Sequence, residues 1–329
     1  MLQRREFIAG IGGTAAWTFH ARAQQRLPTV AFVTARSEHT SLYAVDAFRK
    51  GLGETGYVQD RNVAVEYHWL DGQFDRLPSL MADIVRRRVA VITTLNNTLI
   101  ATTAKGATAT IPIPVVFSVG TDAVKTGLVA SFARPGGNVT GIHYFALELS
   151  AKRLELLHAL VPKATRVAIL VNPADGPSTN VTLVSVGGAA RFIGLRTRVL
   201  RASTSHEIDA AFASLADERA DDVLFVAAEG FFQSRTEQLV ALTARDKIPA
   251  AYPDRPTVQA GGLMSYGADA VDMFRQVGVY TGNILKGAKP ADLPVQQSTK
   301  FDFVINRKTA KALELEIPVV LRVFADLID

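Results

Sequence analysis

No cysteine occurs anywhere in the 329 residues. That excludes disulfide frameworks, thiolate metal sites and cysteine nucleophiles together. It leaves the compartment open, since cytosol and periplasm both tolerate such a chain. Beyond the N-terminus, no apolar run approaches the ~20 residues that span a bilayer. Nor does any block of five like charges occur. The densest basic run, Arg86-Arg87-Arg88, falls where a helix is expected to end, as favourable charge at a helix C-terminus and not as a nucleic-acid patch. A G-x-x-x-x-G-K-[ST] P-loop is missing, which excludes a P-loop ATPase. No G-x-S-x-G elbow is present, and Gly262-Leu-Met-Ser-Tyr-Gly267 misses that spacing by one residue. The histidines are scattered, with no pair at H-x-x-x-H metal spacing. No catalytic residue, metal ligand or cofactor site is therefore expected, and no nucleic-acid partner.

What is present is ordinary for a soluble two-domain chain: 48% hydrophobic and 20% charged residues, with a net charge of +5. The sharpest local signal is N-terminal. Arg4-Arg5 precedes Phe7-Ile8, a moderately apolar stretch runs to Phe19, and Ala21-Arg22-Ala23 offers a small-x-small cleavage site. This order predicts a twin-arginine signal peptide over 1–23, cleaved after Ala23, and hence an exported periplasmic protein.

From Pro28 onward, short apolar runs alternate with longer amphipathic ones. Val30–Val33, Val63–Tyr67, Val89–Thr93 and Ile113–Phe117 read as strands with helices between them. The rhythm returns with Val167–Val171, Thr197–Leu200, Val223–Val226, Ile248–Tyr252, Gly262–Tyr266 and Phe301–Ile305. Near-continuous apolar strands joined by crossover helices predict parallel sheets covered on both faces. The fold class is thus α/β, two Rossmann-like parallel-sheet lobes. Punctuation near Pro135–Tyr144, Pro253–Pro256 and Lys286–Pro294 suggests three hinge crossings. That division gives an N-terminal lobe of 27–143 plus 255–290 and a C-terminal lobe of 144–254 plus 291–329. Gly51-Leu-Gly-Glu-Thr-Gly56 matches G-x-G-x-x-G, but it closes a helix and precedes a strand. Its glycines are expected to serve as a cap and turn, without a dinucleotide.

In open α/β sheets, ligands bind beyond the carboxyl ends of the strands. There the first lobe places Arg36 and Ser37, then Asn96, Asn97 and Thr98, then Ser118, Thr121 and Asp122. The second places Asn172 with Asp175, then Glu229 and Phe231, then Tyr252 and Asp254. Caps and helix N-termini suit a ligand carboxylate. Tyr144, Phe231 and Tyr252 are expected to supply flat apolar walls.

Several motifs resemble a known family. They include Ala47-Phe-Arg-x-Gly-Leu with Gly56-Tyr57, Pro135-Gly-Gly-Asn-Val-Thr-Gly141 and Ala151-Lys-Arg-Leu-Glu-Leu-Leu157. Further on are Ala260-Gly-Gly-Leu-Met-Ser-Tyr-Gly267, Ile284–Pro294 and Lys308–Leu313. From about Pro28 to Pro318 the chain resembles the ABC-transporter substrate-binding proteins related to tryptophan and aromatic amino acid binders. The resemblance implies the type I periplasmic binding fold. It also implies a cleft formed by Asn96–Thr98, Thr121-Asp122, Tyr144 and the loops at Asn172, Glu229 and Tyr252. Where such relatives carry Thr-Asp-Pro this chain has Thr121-Asp122-Ala123, and where they carry a Thr-Asp-Asn-like loop it has Ala228-Glu229-Gly230.

The resulting expectation is a non-enzymatic, monomeric binding component of an importer. Its partners are a small carboxylate-bearing molecule and the ABC permease and ATPase subunits. The alternatives are a periplasmic ligand sensor on the same fold and, further off, a two-lobed α/β enzyme.

Overall fold

The computed structural model describes residues 27–216 and 222–329. The expected leader over 1–23 lies outside them. The first lobe is built from β1 (Thr29–Thr34), α1 (Leu42–Glu54), β2 (Ala64–Trp69), α2 (Leu77–Arg86), β3 (Val91–Leu95), α3 (Thr98–Ala107), β4 (Val115–Val119) and β5 (Val139–His143). The chain then passes to α4 (Ala146–Leu160), β6 (Arg166–Val171), α5 (Gly176–Phe192), β7 (Arg196–Arg201), α6 (Ser205–Ala216), β8 (Asp222–Val226), α7 (Gly230–Gln233), α8 (Thr236–Arg245), β9 (Ala250–Tyr252), α9 (Arg255–Gln259) and β10 (Met264–Ala268). It closes with α10 (Ala270–Leu285), β11 (Gln296–Gln297), β12 (Phe301–Asn306), α11 (Arg307–Ala312), α12 (Val319–Phe324) and β13 (Asp326–Ile328).

Two sheets result. A six-stranded sheet has the order β11-β5-β4-β3-β1-β2, and a seven-stranded sheet the order β13-β12-β10-β9-β8-β6-β7. The first is parallel throughout. The second contains one antiparallel pair, β10 with β12. Strands such as β3 and β4 are buried at every position, as sheets covered on both faces require. Apolar clusters cover both faces of the first sheet, and another fills the second lobe.

The chain crosses between lobes three times, but two of the expected positions change. Residues 255–268 stay with the second sheet, so the second crossing falls at Asp269 instead of Pro253–Pro256. That Pro-rich turn is the start of α9, where Asp254 accepts the Thr257 N–H and Pro256 occupies the first turn. The third crossing follows β11, which pairs with β5 in the first sheet, and so lies beyond Pro294. At the first crossing Phe145 adopts φ 53° immediately before α4, an uncommon backbone for a bulky residue.

Helix α10 therefore returns to the first lobe and packs on α1. Glycine permits this contact. A Cβ on Gly51 would lie 1.9 Å from Arg275 O, and one on Gly278 would lie 2.2 Å from Phe48 O. Within the G-x-G-x-x-G match, then, Gly51 serves helix packing, and Gly56 at φ 87° makes the turn. Strand β5 is hidden in the sequence by Gly141, whose Cβ would meet Phe117 O at 2.0 Å.

Candidate functional site

Loops at the carboxyl ends of the strands face one another across the gap between lobes, and polar side chains join them directly. Arg36 follows β1 and is almost wholly buried. Its Nε donates to Gln233 Oε1 at 3.0 Å, its Nη2 to Asp254 Oδ2 at 2.9 Å, and its Nη1 to the Tyr43 hydroxyl. Gln233 Nε2 donates to the same Asp254 oxygen at 2.6 Å. Burial opposes the Arg36 charge, but Tyr43 and Asp254 more than offset it and hold the guanidinium above its ordinary range.

A second bridge joins Asn97 to Asp175. Asn97 caps α3 by accepting the Ile100 N–H at 2.8 Å, and its Nδ2 donates to Asp175 Oδ2 at 2.7 Å. Asp175 in turn caps α5 through the Ser178 N–H. The flank is tied by Ser37 N donating to Ser234 Oγ at 2.7 Å and by Arg235 with Asp71 at 2.8 Å. Gly230 approaches so closely that a Cβ there would lie 2.9 Å from Ala35 Cβ. These contacts define a closed arrangement of the lobes.

Between the bridges lies a small cavity of ≈ 40 Å³, walled by Asn96, Tyr144, Arg153, Gln233 and Asp254 among others. A second space of ≈ 10 Å³, lined by Thr98, Thr121, Ser178 and Thr182, shares Tyr144, Ala146, Ser150 and Ala228 with it. Tyr144 is nine-tenths buried. Its ring packs on Gly120, where a Cβ would meet it at 2.4 Å. Burial, reinforced by Asp175, pushes its phenol upward.

Two buried acids stand beside the cavity. Glu229 accepts the Phe231 N–H at 3.1 Å and Asn172 Nδ2 at 3.3 Å through Oε2, while Oε1 has no partner. Burial and then the charge of Asp175 push Glu229 up to about 8. Burial likewise raises Asp175.

The residues expected at the site divide into three groups. Asn96, Thr98, Thr121, Tyr144 and Asp254 line the cavities. Ser37, Asn97, Asn172, Ser118 and Glu229 stand behind them: Ser118 accepts the Asn96 N–H at 2.8 Å, and Asn96 takes φ 52°, a conformation asparagine tolerates. Three lie elsewhere. Tyr252 is buried in the second-lobe core with its hydroxyl 3.0 Å from Thr243. Phe231 belongs to that core and fills the space over Gly72. Asp122 is partly exposed beside Lys125 and caps the N–H groups of Val124 and Lys125. Aromatic type alone does not distinguish a wall from a core residue.

Tyr43, Arg153 and Gln233, which the sequence does not single out, carry much of the site together with Arg36 and Asp175. Among the described residues, no cluster of three or more histidines and acids is placed to hold a metal ion.

Residues 29–327 match the family model described as ABC transporter substrate binding protein. A "Tyrosine-binding protein" of Clostridioides difficile (strain R20291) is 28% identical over 281 residues, covering 85% of this chain and 79% of that one. Among solved structures, an ABC domain from Streptococcus pneumonia in complex with L-Trp superposes with a TM-score of 0.81 at 23% identity, covering 92% of this chain and all of that one. A ligand-free, open substrate binding protein from Clostridium difficile, also 23% identical, superposes with a TM-score of 0.62 over 92% of this chain and 99% of that one.

Proposed function

The chain belongs to the ABC transporter substrate binding protein family, and from that premise we propose that it is the capture subunit of an importer for a small, carboxylate-bearing solute of the amino-acid class. Strand-end loops of the two lobes close on the solute, and the three crossings act as the hinge. No bond is made or broken. Contact free energy with the ligand stabilises the closed form, and that form docks on the membrane permease, where the ATPase drives release. Export through the twin-arginine route places this cycle in the periplasm.

The observation that carries the reading is the pairing of buried polar groups across the gap. Arg36 with Asp254 and Asn97 with Asp175 join loops of different lobes, and a cavity lies between them. Partners that meet only on closure fit a trap better than a fixed catalytic cleft. The amino-acid class is supported by the tyrosine-binding relative and by the L-Trp complex of similar fold.

The test is a thermal-shift screen of the purified mature protein against the twenty amino acids and simple carboxylates. A true ligand at ~100 times its dissociation constant adds ~2.7 kcal/mol of stability, and small-angle scattering then shows contraction. A protein that none of these compounds stabilises is not such a capture subunit.

A further inference from the structure

Helix α4 buries one stripe: Ser150, Arg153, Leu154, Leu157 and Leu160. The leucines enter the second-lobe core. Arg153 carries a charge along the same face and is only 2% exposed. Its Nη2 donates to Val226 O at 3.0 Å, and the guanidinium lies 4.2 Å from the Phe225 ring centroid. Its Nε is buried without a partner.

No carboxylate of the described residues pairs with it. The acid that acts on it is Asp254, but Asp254 Oδ2 is taken by Arg36 and Gln233, and Oδ1 by Thr257. Burial lowers the Arg153 pKa to about 9, with Asp254 working the other way, so the group stays cationic at neutral pH. The two other acids near the cavity, Glu229 and Asp175, are both pushed toward their neutral forms. The closed cleft thus holds two guanidiniums, Arg36 and Arg153, against the single carboxylate of Asp254. A buried charge without a counter-charge is strongly destabilising. Arg153 lines the cavity beside Asn96, Tyr144 and Ser150.

We propose that Arg153 is the receptor for the ligand carboxylate, which supplies the counter-charge the fold leaves out. Guanidinium suits this role because its planar donors match a carboxylate and it keeps its charge when desolvated. The inference rests on the capture reading above and names the group that sets the charge of the ligand. It also explains how a carboxylate is held in the second lobe, apart from the helix caps of the first.

The experiment compares wild type, Arg153→Lys and Arg153→Met by calorimetry with L-tyrosine, L-tryptophan and their decarboxylated amines, tyramine and tryptamine. Wild type prefers amino acid to amine by about 100-fold or more, the scale expected for a desolvated charge pair. Arg153→Met brings that ratio close to one, and Arg153→Lys restores part of it. The ligand-free Arg153→Met protein melts at or above the wild-type temperature, because a lone buried charge has been removed. A variant that keeps the preference overturns the assignment, as does one whose ligand-free melting temperature falls by several degrees, since the charge would then serve the fold. A wild type stabilised by no amino acid or carboxylate overturns the capture reading itself.

Discussion

The side chain of Asn97 joins two helix starts in different lobes. Its Oδ1 accepts the Ile100 N–H of α3 at 2.8 Å, and its Nδ2 donates to Asp175, the cap of α5, at 2.7 Å. One amide thereby contributes local stability and interlobe closure at once. The two roles separate by mutation.

Asn97→Asp keeps the cap, because asparagine and aspartate are equivalent there. It also removes the Nδ2 donor and sets a second carboxyl against Asp175, so this buried pair must repel or hold a proton, the latter at a group burial already raises. The ligand-free protein is expected to unfold within ~0.5 kcal/mol of wild type, while ligand affinity falls at least tenfold. Asn97→Ala loses the cap as well and costs ~1 kcal/mol of stability. Urea unfolding and ligand titration, run in parallel, separate the two. Equal affinity in Asn97→Asp and wild type rejects the bridge as a closure contact.

Gly230 gives a steric version of the same test. A Cβ here would lie 2.9 Å from Ala35 Cβ and 3.3 Å from Arg36 Cγ across the gap. In an open protein that space is free. Gly230→Val is therefore expected to fold normally and to show, by small-angle scattering, no contraction with ligand. Contraction equal to wild type would mean that the lobes do not approach at this loop.

Much of this architecture is legible in the sequence. The apolar runs at Val30–Val33 and Val167–Val171 announce both sheets, and the loops after them do carry residues of the interlobe bridges, Arg36 and Asp175. Two kinds of information are not legible. The first is lobe membership: Pro253–Pro256 looks like a linker, yet it starts a capped helix, while Gly51 and Gly278 draw α10 back to α1 by a contact no local pattern encodes. The second is which charges are buried. Arg153 stands next to Lys152, so the pair reads as a solvated helix face. Only its spacing to Leu157 and Leu160 marks it as lying on the apolar stripe.

Arg36 is expected to contribute to closure more than to folding. On the capture reading, water replaces Asp254 and Gln233 around its guanidinium when the lobes part, so the buried pair is expected to form on closure. Arg36→Met is expected to leave the ligand-free melting temperature within about 2 °C and to weaken ligand binding by about 30-fold or more, because Asp254 is then enclosed without its cation. Differential scanning calorimetry and titration calorimetry read the two quantities. A large loss of ligand-free stability with unchanged affinity would assign Arg36 to the fold alone.

Glu229 makes the closed form sensitive to pH. Its carboxyl is buried behind the cavity, Oε1 is unpartnered, and burial with Asp175 nearby raises it from an ordinary glutamate value to about 8. Between the ordinary value and 8, the closed fold retains a proton that the unfolded chain has released. Stability therefore falls as pH rises through that window, by up to ~1.4 kcal/mol per pH unit, is complete below it, and falls no further above 8. Asp175, raised for the same reason, acts in the same direction. His68 and His143 are lowered by burial and act oppositely, so the difference between wild type and Glu229→Gln isolates the glutamate. Glutamine keeps an acceptor for the Phe231 N–H and cannot ionise. Melting curves from pH 5 to pH 8 are expected to show wild type losing several degrees relative to Glu229→Gln. Parallel curves would mean that Glu229 is already ionised in the fold, and that its environment supplies a cation where the structure places none.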